Sequence, residues 1–382
     1  WTQCVTRKGW KLFANQIKYR GRCGKMFDFY KGKKIFVTGH TGFKGAWLCK
    51  ILSMMGAEIY GYSLEAPTVP SLFRCAKIEG LTKKSIIGDI RDMKKLEKAF
   101  SEASCEIVIH LAAQPIVREG YKNPHYTIDT NVMGTLNLLE CIRKSDTVRS
   151  FLNVTTDKVY KNEEWVWGYR ENDRIGGRDP YSASKGAAEI ITECYKKSYF
   201  EKENIAISTA RAGNVIGGGD FGKDRIIPDC INAVMNGEVI TVRYPDSVRP
   251  YQHVLDALFA YLMILEKQYY DKAYENNYNI GPMEENCVKT SRLVEMFIDA
   301  WGGGRWESAD GVFPKESHIL KLDTSRMREN IGWYEKIGVK KALDYVVEWT
   351  KAYKKGEDVS IIMEKQIREY ISLCSAEWKN GK

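Results

Sequence analysis

From residue 33 onward, two apolar patterns alternate along this chain. Short unbroken apolar runs recur, and each is followed by a longer stretch in which apolar residues return every three or four positions. The unbroken runs fall at 34–38, 57–62, 85–89, 106–110, 149–154, 205–211 and 278–280, and predict seven strands. The periodic stretches at 46–55, 93–103, 127–144 and 181–200 predict helices between them. Strands that are apolar throughout, separated by helices, imply a parallel sheet covered on both faces. Such sheets bind ligands beyond the carboxyl ends of their strands. After Gly217-Gly218-Gly219 the regular alternation stops. Helices are predicted at 226–236, 252–269, 290–301, 325–331 and 339–354, with a strand at 238–243.

The chemistry-bearing residues sit at strand ends. Gly39, Gly42 and Gly45 lie at Gly-x-x-Gly-x-x-Gly spacing between the first strand and first helix. Glycines there allow a tight turn and close approach of backbone to a diphosphate, which the helix N–H groups then face. Gly39, Thr41, Gly42, Phe43, Lys44 and Gly45 are thus candidate cofactor contacts. Asp89 and Ile90, past the third strand, suit an adenine. Leu111, Ala112 and Ala113, past the fourth, leave room for a cofactor. Neither an acid nor an arginine stands at Ser63, where the ribose is usually gripped, so NAD and NADP are not distinguished. The expected architecture is α/β: a Rossmann-type, doubly wound parallel sheet over 26–212 and 250–282, with a smaller discontinuous substrate domain over 213–249 and 283–382. Tyr181 and Lys185, four apart on a helix, share one face. A nearby ammonium favours phenolate, so Tyr181 is expected to accept a proton near neutral pH. Tyr30 and Lys34 have the same spacing by chance. Thr155-Thr156-Asp157-Lys158 closes the fifth strand.

Composition changes this picture little. Of the 382 residues, 44% are apolar, enough for a substantial core, and no apolar run is long enough to span a membrane. The net charge of +9 comes mostly from Arg7, Lys8, Lys11, Lys18, Arg20, Arg22 and Lys25, ahead of the first acid, Asp28. A nucleic-acid footprint is therefore not expected. Residues 1–25 are expected outside the fold, as an extension ahead of Met26, a targeting segment or a contacting arm. Ten cysteines without a Cys-x-x-Cys, and five histidines without ligand spacing, point to reduced thiols, a cytoplasmic location and no metal site.

The glycine spacing, Leu111-Ala112-Ala113, Thr156, Tyr181 and Lys185 resemble the extended short-chain dehydrogenase/reductase superfamily over 33–350. Within it, Thr155-Thr156-Asp157 followed by Val159-Tyr160 resembles the nucleotide-sugar 4,6-dehydratases, which usually have Thr-Asp-Glu where this chain has Thr156-Asp157-Lys158. Longer stretches, at 39–45, 112–115, 164–172, 211–220 and 249–254, narrow the resemblance to the branch acting on CDP-glucose. It implies NAD as cofactor, CDP-glucose as substrate, and a homodimer built through helices 127–144 and 181–200. It also implies a place in deoxysugar biosynthesis for the O-antigen of lipopolysaccharide. By the same resemblance, Tyr181 takes the carbon 4 hydroxyl proton while hydride passes to NAD, and Thr156 hydrogen-bonds that oxygen. Lys185 holds the nicotinamide ribose and lowers the tyrosine pKa. Asp157, its pKa raised, protonates the departing carbon 6 hydroxyl. Lys158 either takes the carbon 5 proton as a neutral amine, or orders a water or steadies the enolate. Gln114, Asn214, Arg225, Arg243 and Arg249 are implied substrate contacts, and Trp165 and Trp167 either shape a lid or pack in the core. Two other readings stay open: a 4-epimerase, which needs no acid at position 157, and a non-catalytic cofactor sensor.

Overall fold

The computed structural model describes residues 22–311, 313 and 317–376. Twelve strands run in chain order: β1 (Lys34–Thr38), β2 (Glu58–Ser63), β3 (Lys84–Ile87), β4 (Ile107–His110), β5 (Ser150–Thr156), β6 (Ala206–Ala212), β7 (Asn214–Ile216), β8 (Ile240–Val242), β9 (Val248–His253), β10 (Asn277–Ile280), β11 (Cys287–Lys289) and β12 (Trp306–Ser308). The longer helices are α1 (Arg22–Tyr30), α2 (Phe43–Met54), α3 (Met93–Ala103), α4 (Gly134–Arg143), α5 (Pro180–Tyr195), α6 (Ile226–Asn236), α7 (Val254–Tyr270), α8 (Thr290–Trp301), α9 (Val339–Lys354) and α10 (Val359–Ala376).

Seven strands form one sheet, ordered β3-β2-β1-β4-β5-β6-β10, and every pairing in it is parallel. The chain starts near the middle and winds outward in both directions, so the switch point falls between β1 and β4. Within β1, Ile35 and Val37 join one core and Phe36 the other, which is why the strand is apolar throughout. Helix α3 shows how local sequence fixes an element. Asp92 caps it by accepting from the Lys95 amide at 3.1 Å, and Leu96, Ala99, Phe100 and Ala103 bury one stripe.

The structure departs from the expected elements in several places. The helix expected over 127–144 is the short helix Pro124–Ile128, a wider turn at Asp129–Met133, and α4; likewise α5 ends in a wide turn, Lys196–Phe200. The helix expected from 252 begins at Val254, because Gln252 and His253 belong to β9. Strand β9 pairs parallel with β7 and antiparallel with β11, a small sheet built only by long-range contacts. Helix α10 has no expected counterpart, although Val359, Met363, Ile367, Tyr370 and Ile371 bury a helical stripe. Helix α1 begins at Arg22, ahead of the expected boundary at Met26, which is itself buried; residues 1–21 lie outside the described residues.

The break at Gly217-Gly218-Gly219 is a packing seam. Trp47 of α2 donates to the Gly218 carbonyl at 3.0 Å, and a Cβ on Gly218 would lie 2.2 Å from the Trp349 ring of α9. One continuous core therefore runs from the sheet into the carboxyl-terminal helices.

Behind β5 and β6, Arg211 and Glu189 form an ion pair with both side chains under 4% exposed. Arg211 donates to Glu189 through Nε at 2.9 and 3.0 Å, and to the Tyr160 hydroxyl and the Glu171 carbonyl through Nη1. Removing one partner strands a buried charge. Arg211→Met should lower unfolding free energy by about 3–5 kcal/mol in urea titration, whereas a surface pair would cost less than about 1.

Candidate active site

The site is assembled where the strands of the main sheet end. Thr38 locks β1 to β4: its hydroxyl accepts from the amides of Leu111 and Ala112 at 3.1 and 3.2 Å and bonds His110 Nδ1 at 2.7 Å. His110 Nε2 meets the Thr135 hydroxyl at 3.1 Å, and burial lowers its pKa to about 3, so it stays neutral.

The three glycines of the turn have different jobs. Gly39 has φ +76°, and a Cβ there would lie 2.7 Å from the Ala112 nitrogen. A Cβ on Gly45 would lie 2.2 Å from the Gly39 oxygen. Packing requires both. Gly42, at the start of α2, would meet only the Gly39 oxygen, at 3.4 Å, so the protein itself does not require it. The space over Gly42 opens on the cleft at the helix amino end, and a cofactor diphosphate fits it. Gly42→Val should keep the melting temperature and weaken NAD binding by about tenfold or more, read by equilibrium titration.

Thr41 bonds Ser63 Oγ at 2.8 Å and the Leu64 carbonyl at 2.9 Å, tying the turn to β2. Phe43, Lys44, Asp89, Ile90, Leu111, Ala112 and Ala113 line the same cleft, which has a volume of about 1450 Å³. Arg91 grips the Asp89 carboxylate at 2.7 Å and holds its pKa low. Lys44, by contrast, stands as a cation at a helix amino end, where the dipole disfavours it. Burial lowers its pKa to about 8, helped by Arg225 and Lys185. An incoming diphosphate resolves that conflict.

The candidate reacting groups meet at the end of β5. The Thr156 hydroxyl donates to Asp157 Oδ1 at 3.0 Å. Asp157 is 2% exposed, and its Oδ2 has no hydrogen-bond partner among the described residues. Burial raises its pKa, against the pull of Lys158, Thr156, Arg249 and Lys44. Lys158 is half-buried in the cleft; its amide donates to the Thr156 hydroxyl at 3.3 Å, while its ammonium has no hydrogen bond or ion pair among the described residues. Asp179 caps α5 by accepting from the Ser182 amide at 3.0 Å, which fixes Tyr181 in the first turn and Lys185 one turn later.

The expected lowering of the Tyr181 pKa by Lys185 needs correction. Burial, opposed by Thr156 and reinforced by the Asp157 charge, leaves the phenol pushed up to about 12. Lys185 instead donates to the Val154 carbonyl at 3.1 Å, and burial lowers its own pKa to about 8. The desolvation cost of phenolate wins over helical proximity to an ammonium. The chance match at Tyr30 and Lys34 is confirmed as structural: Tyr30 ends α1 and donates to the Leu262 carbonyl at 2.7 Å.

Of the expected substrate contacts, all five line the cleft, but in different states. The Gln114 side chain is already engaged, donating to Thr127 at 2.8 Å and accepting from the Ile116 amide at 2.6 Å, so it shapes the loop. Asn214 opens β7. Arg225 pairs with Asp220 at 2.8 Å and Arg243 with Asp224 at 2.9 Å. Arg249 donates to the carbonyls of Val248 at 3.0 Å and His318 at 3.3 Å, and to that of Ser317. Trp165 and Trp167 do not line the cleft. They continue a stack of rings, Tyr160-Tyr169-Trp165-Trp167, with centroids 5.1, 5.2 and 5.6 Å apart. Asp220, the last residue of the 211–220 stretch, borders the cleft, as do Arg118 and Asp224, which no motif marks. Among the described residues, no group of His, Cys, Asp or Glu could hold a metal ion, and no helix is long and apolar enough to cross a membrane.

Residues 36–346 match the family described as GDP-mannose 4,6 dehydratase. A CDP-glucose 4,6-dehydratase of Salmonella typhimurium is 44% identical over 352 residues, covering 90% of this chain and 98% of that protein. Two solved structures share the fold. A dTDP-glucose 4,6-dehydratase from Bacillus anthracis, in complex with NAD, superposes with a TM-score of 0.72 at 23% identity, over 86% of this chain and 98% of its own. An epimerase from Methanothermobacter thermautotrophicus gives 0.76 at 19% identity, over 87% and 96%.

Proposed function

Because this chain belongs to the GDP-mannose 4,6 dehydratase family, we propose that it is an NAD-dependent hydro-lyase converting CDP-glucose to CDP-4-dehydro-6-deoxy-D-glucose and water. The observation that carries this reading is Asp157. A buried carboxyl, held protonatable and with one oxygen unpartnered, stands beside Tyr181 and Thr156 in the cleft. Expelling a hydroxyl needs an acid, and 4-epimerisation does not.

Bound over Gly42, NAD supplies a hydride acceptor for carbon 4, a hydride donor for carbon 6 and, oxidised, a positive charge. Tyr181 takes the proton of the carbon 4 hydroxyl, and Thr156 orients that oxygen from its place between Tyr181 and Asp157. Lys185, buried and donating to the Val154 carbonyl, would hold the cofactor ribose. The ketone acidifies the carbon 5 proton, and Lys158, beside Asp157, takes part in its removal. Asp157 protonates the oxygen leaving carbon 6, so water departs. Lys44, Asn214, Arg225, Arg243 and Arg249 supply the cation and amide groups that face the two diphosphates.

The test is incubation with CDP-glucose, UDP-glucose, dTDP-glucose and GDP-mannose in turn, following the mass of each sugar. Rapid loss of one water from CDP-glucose alone is expected; unchanged mass with inversion at carbon 4 would instead mean an epimerase. If Lys158→Met kept wild-type solvent-deuterium uptake at carbon 5, its role there would be excluded.

The same reading includes a homodimer. Ile128, Met133 and Ile190, on the helices expected to build it, are 46%, 43% and 61% exposed. Large apolar side chains left open on one pair of helices favour a partner. The pathway is deoxyhexose synthesis for bacterial surface polysaccharide.

A further inference from the structure

We propose that Arg118 and Arg243 form a clamp for the diphosphate of the substrate, and that the Asp224 carboxylate fills this clamp until the diphosphate displaces it. The inference rests on the nucleotide-sugar reading above and adds to it a residue and an exchange step. Arg118 lies on the short helix Val117–Lys122, which follows β4 on the cofactor side of the cleft. Arg243 follows β8, 125 positions further along the chain. Both line the cleft, and each places its Nη1 2.9 Å from the same atom, Oδ1 of Asp224.

The charges do not balance. Only the Asp224 carboxylate, among the described residues, is hydrogen-bonded between the two guanidiniums; Asp229 faces both arginines without bonding either, and burial pushes its pKa up to about 6, while each guanidinium carries five donors. Among the described residues, neither arginine has another recorded ion pair. A diphosphate brings more charge and more oxygens, in a geometry that two planar forks can take bidentately. The three side chains are 39%, 24% and 35% exposed, so a ligand can reach them.

The backbone also favours exchange. Asp224 has φ +59°, the left-handed region that residues other than glycine rarely hold. It sits between Gly222 and Arg225, the residue that precedes the first turn of α6. Arg225 is held separately by Asp220. Releasing the Asp224 side chain therefore leaves Arg225 and α6 in place. Asp224 then acts as an internal competitor, lowering affinity for the diphosphate by the fraction of time it occupies the clamp.

Calorimetric titration of the NAD-loaded enzyme with CDP and with inorganic pyrophosphate tests this. Arg118→Met should weaken both ligands by roughly 10–100-fold and reduce the salt dependence of binding. Asp224→Asn, which tolerates the left-handed backbone, should bind both more tightly, by up to about tenfold. Asp224→Gly, which needs no strained residue there, should do the same. If both Asp224 variants loosen the ligands, the carboxylate is a structural tie and the exchange is overturned. It is also overturned if Arg118→Met changes neither affinity. Arg118-dependent pyrophosphate binding without CDP binding would leave the clamp standing and sink the nucleotide-sugar reading.

Discussion

Tyr181→Phe should dehydrate CDP-glucose roughly 10³–10⁴-fold more slowly than the unaltered protein. The phenolate oxygen of Tyr181 is the proton acceptor that the first turn of α5 offers, and the Phe variant loses only that oxygen while keeping a nearly isosteric ring. Its neighbours decide how large the effect is. Burial is the largest influence and, even with the Thr156 offset included, leaves the phenol neutral at physiological pH, with its pKa pushed up to about 12. Thr156 offsets part of that rise, and the positive charge of oxidised cofactor adds to the same pull. The wild-type rate of carbon 4 oxidation should therefore climb with pH as Tyr181 ionises, and the Phe variant should lose that climb. Stopped-flow absorbance of the reduced cofactor reads the step directly. Oxidation by the Phe variant at the wild-type rate would remove Tyr181 from the mechanism.

Asp157→Asn should separate the two halves of the reaction. Oxidation at carbon 4 needs no acid at position 157, so it should continue. Water loss should slow by roughly 10²–10³-fold, because the amide cannot donate a full proton to the leaving oxygen. Reduced cofactor should then accumulate on the enzyme. The pH dependence has a definite sign. Asp157 acts while protonated, and burial holds its pKa above the ordinary carboxyl value. Dehydration should fall as pH rises through that raised pKa in the wild type, and this alkaline limb should be missing in the Asn variant. A variant that neither slows water loss nor builds up reduced cofactor would hand the acid role to another group. The unpartnered Oδ2 makes Asp157 the group to test first: a Cβ on Gly213 would come within 3.3 Å of it, so a glycine there keeps that oxygen clear.

These expectations depend unequally on sequence and structure. Strands β1, β4, β5 and β6 were legible because each is buried on both faces, so its side chains read as one largely apolar run. The phosphate turn, Thr156, Asp157, Tyr181 and Lys185 were legible for a related reason. Each sits within a few residues of a strand or helix end, where short-range spacing sets its position. The small sheet of β7, β9 and β11 was not legible, since the three-residue strands β7 and β11 show no period and β9 runs directly into the helix that follows it. Nor were Arg118 and Asp224, which meet across 106 positions of sequence.

The sequence by itself determined the strands and helices of the main sheet, the glycine turn and the candidate groups at the strand ends, because those follow from local pattern; the roles given to those groups rest on the family resemblance. Only the tertiary structure decided their protonation and their partners. Residue spacing placed an ammonium near Tyr181, but the folded protein turns Lys185 to the Val154 carbonyl and raises the phenol by burial. Desolvation depends on everything packed around a group, and that surrounding is contributed by segments far apart along the chain.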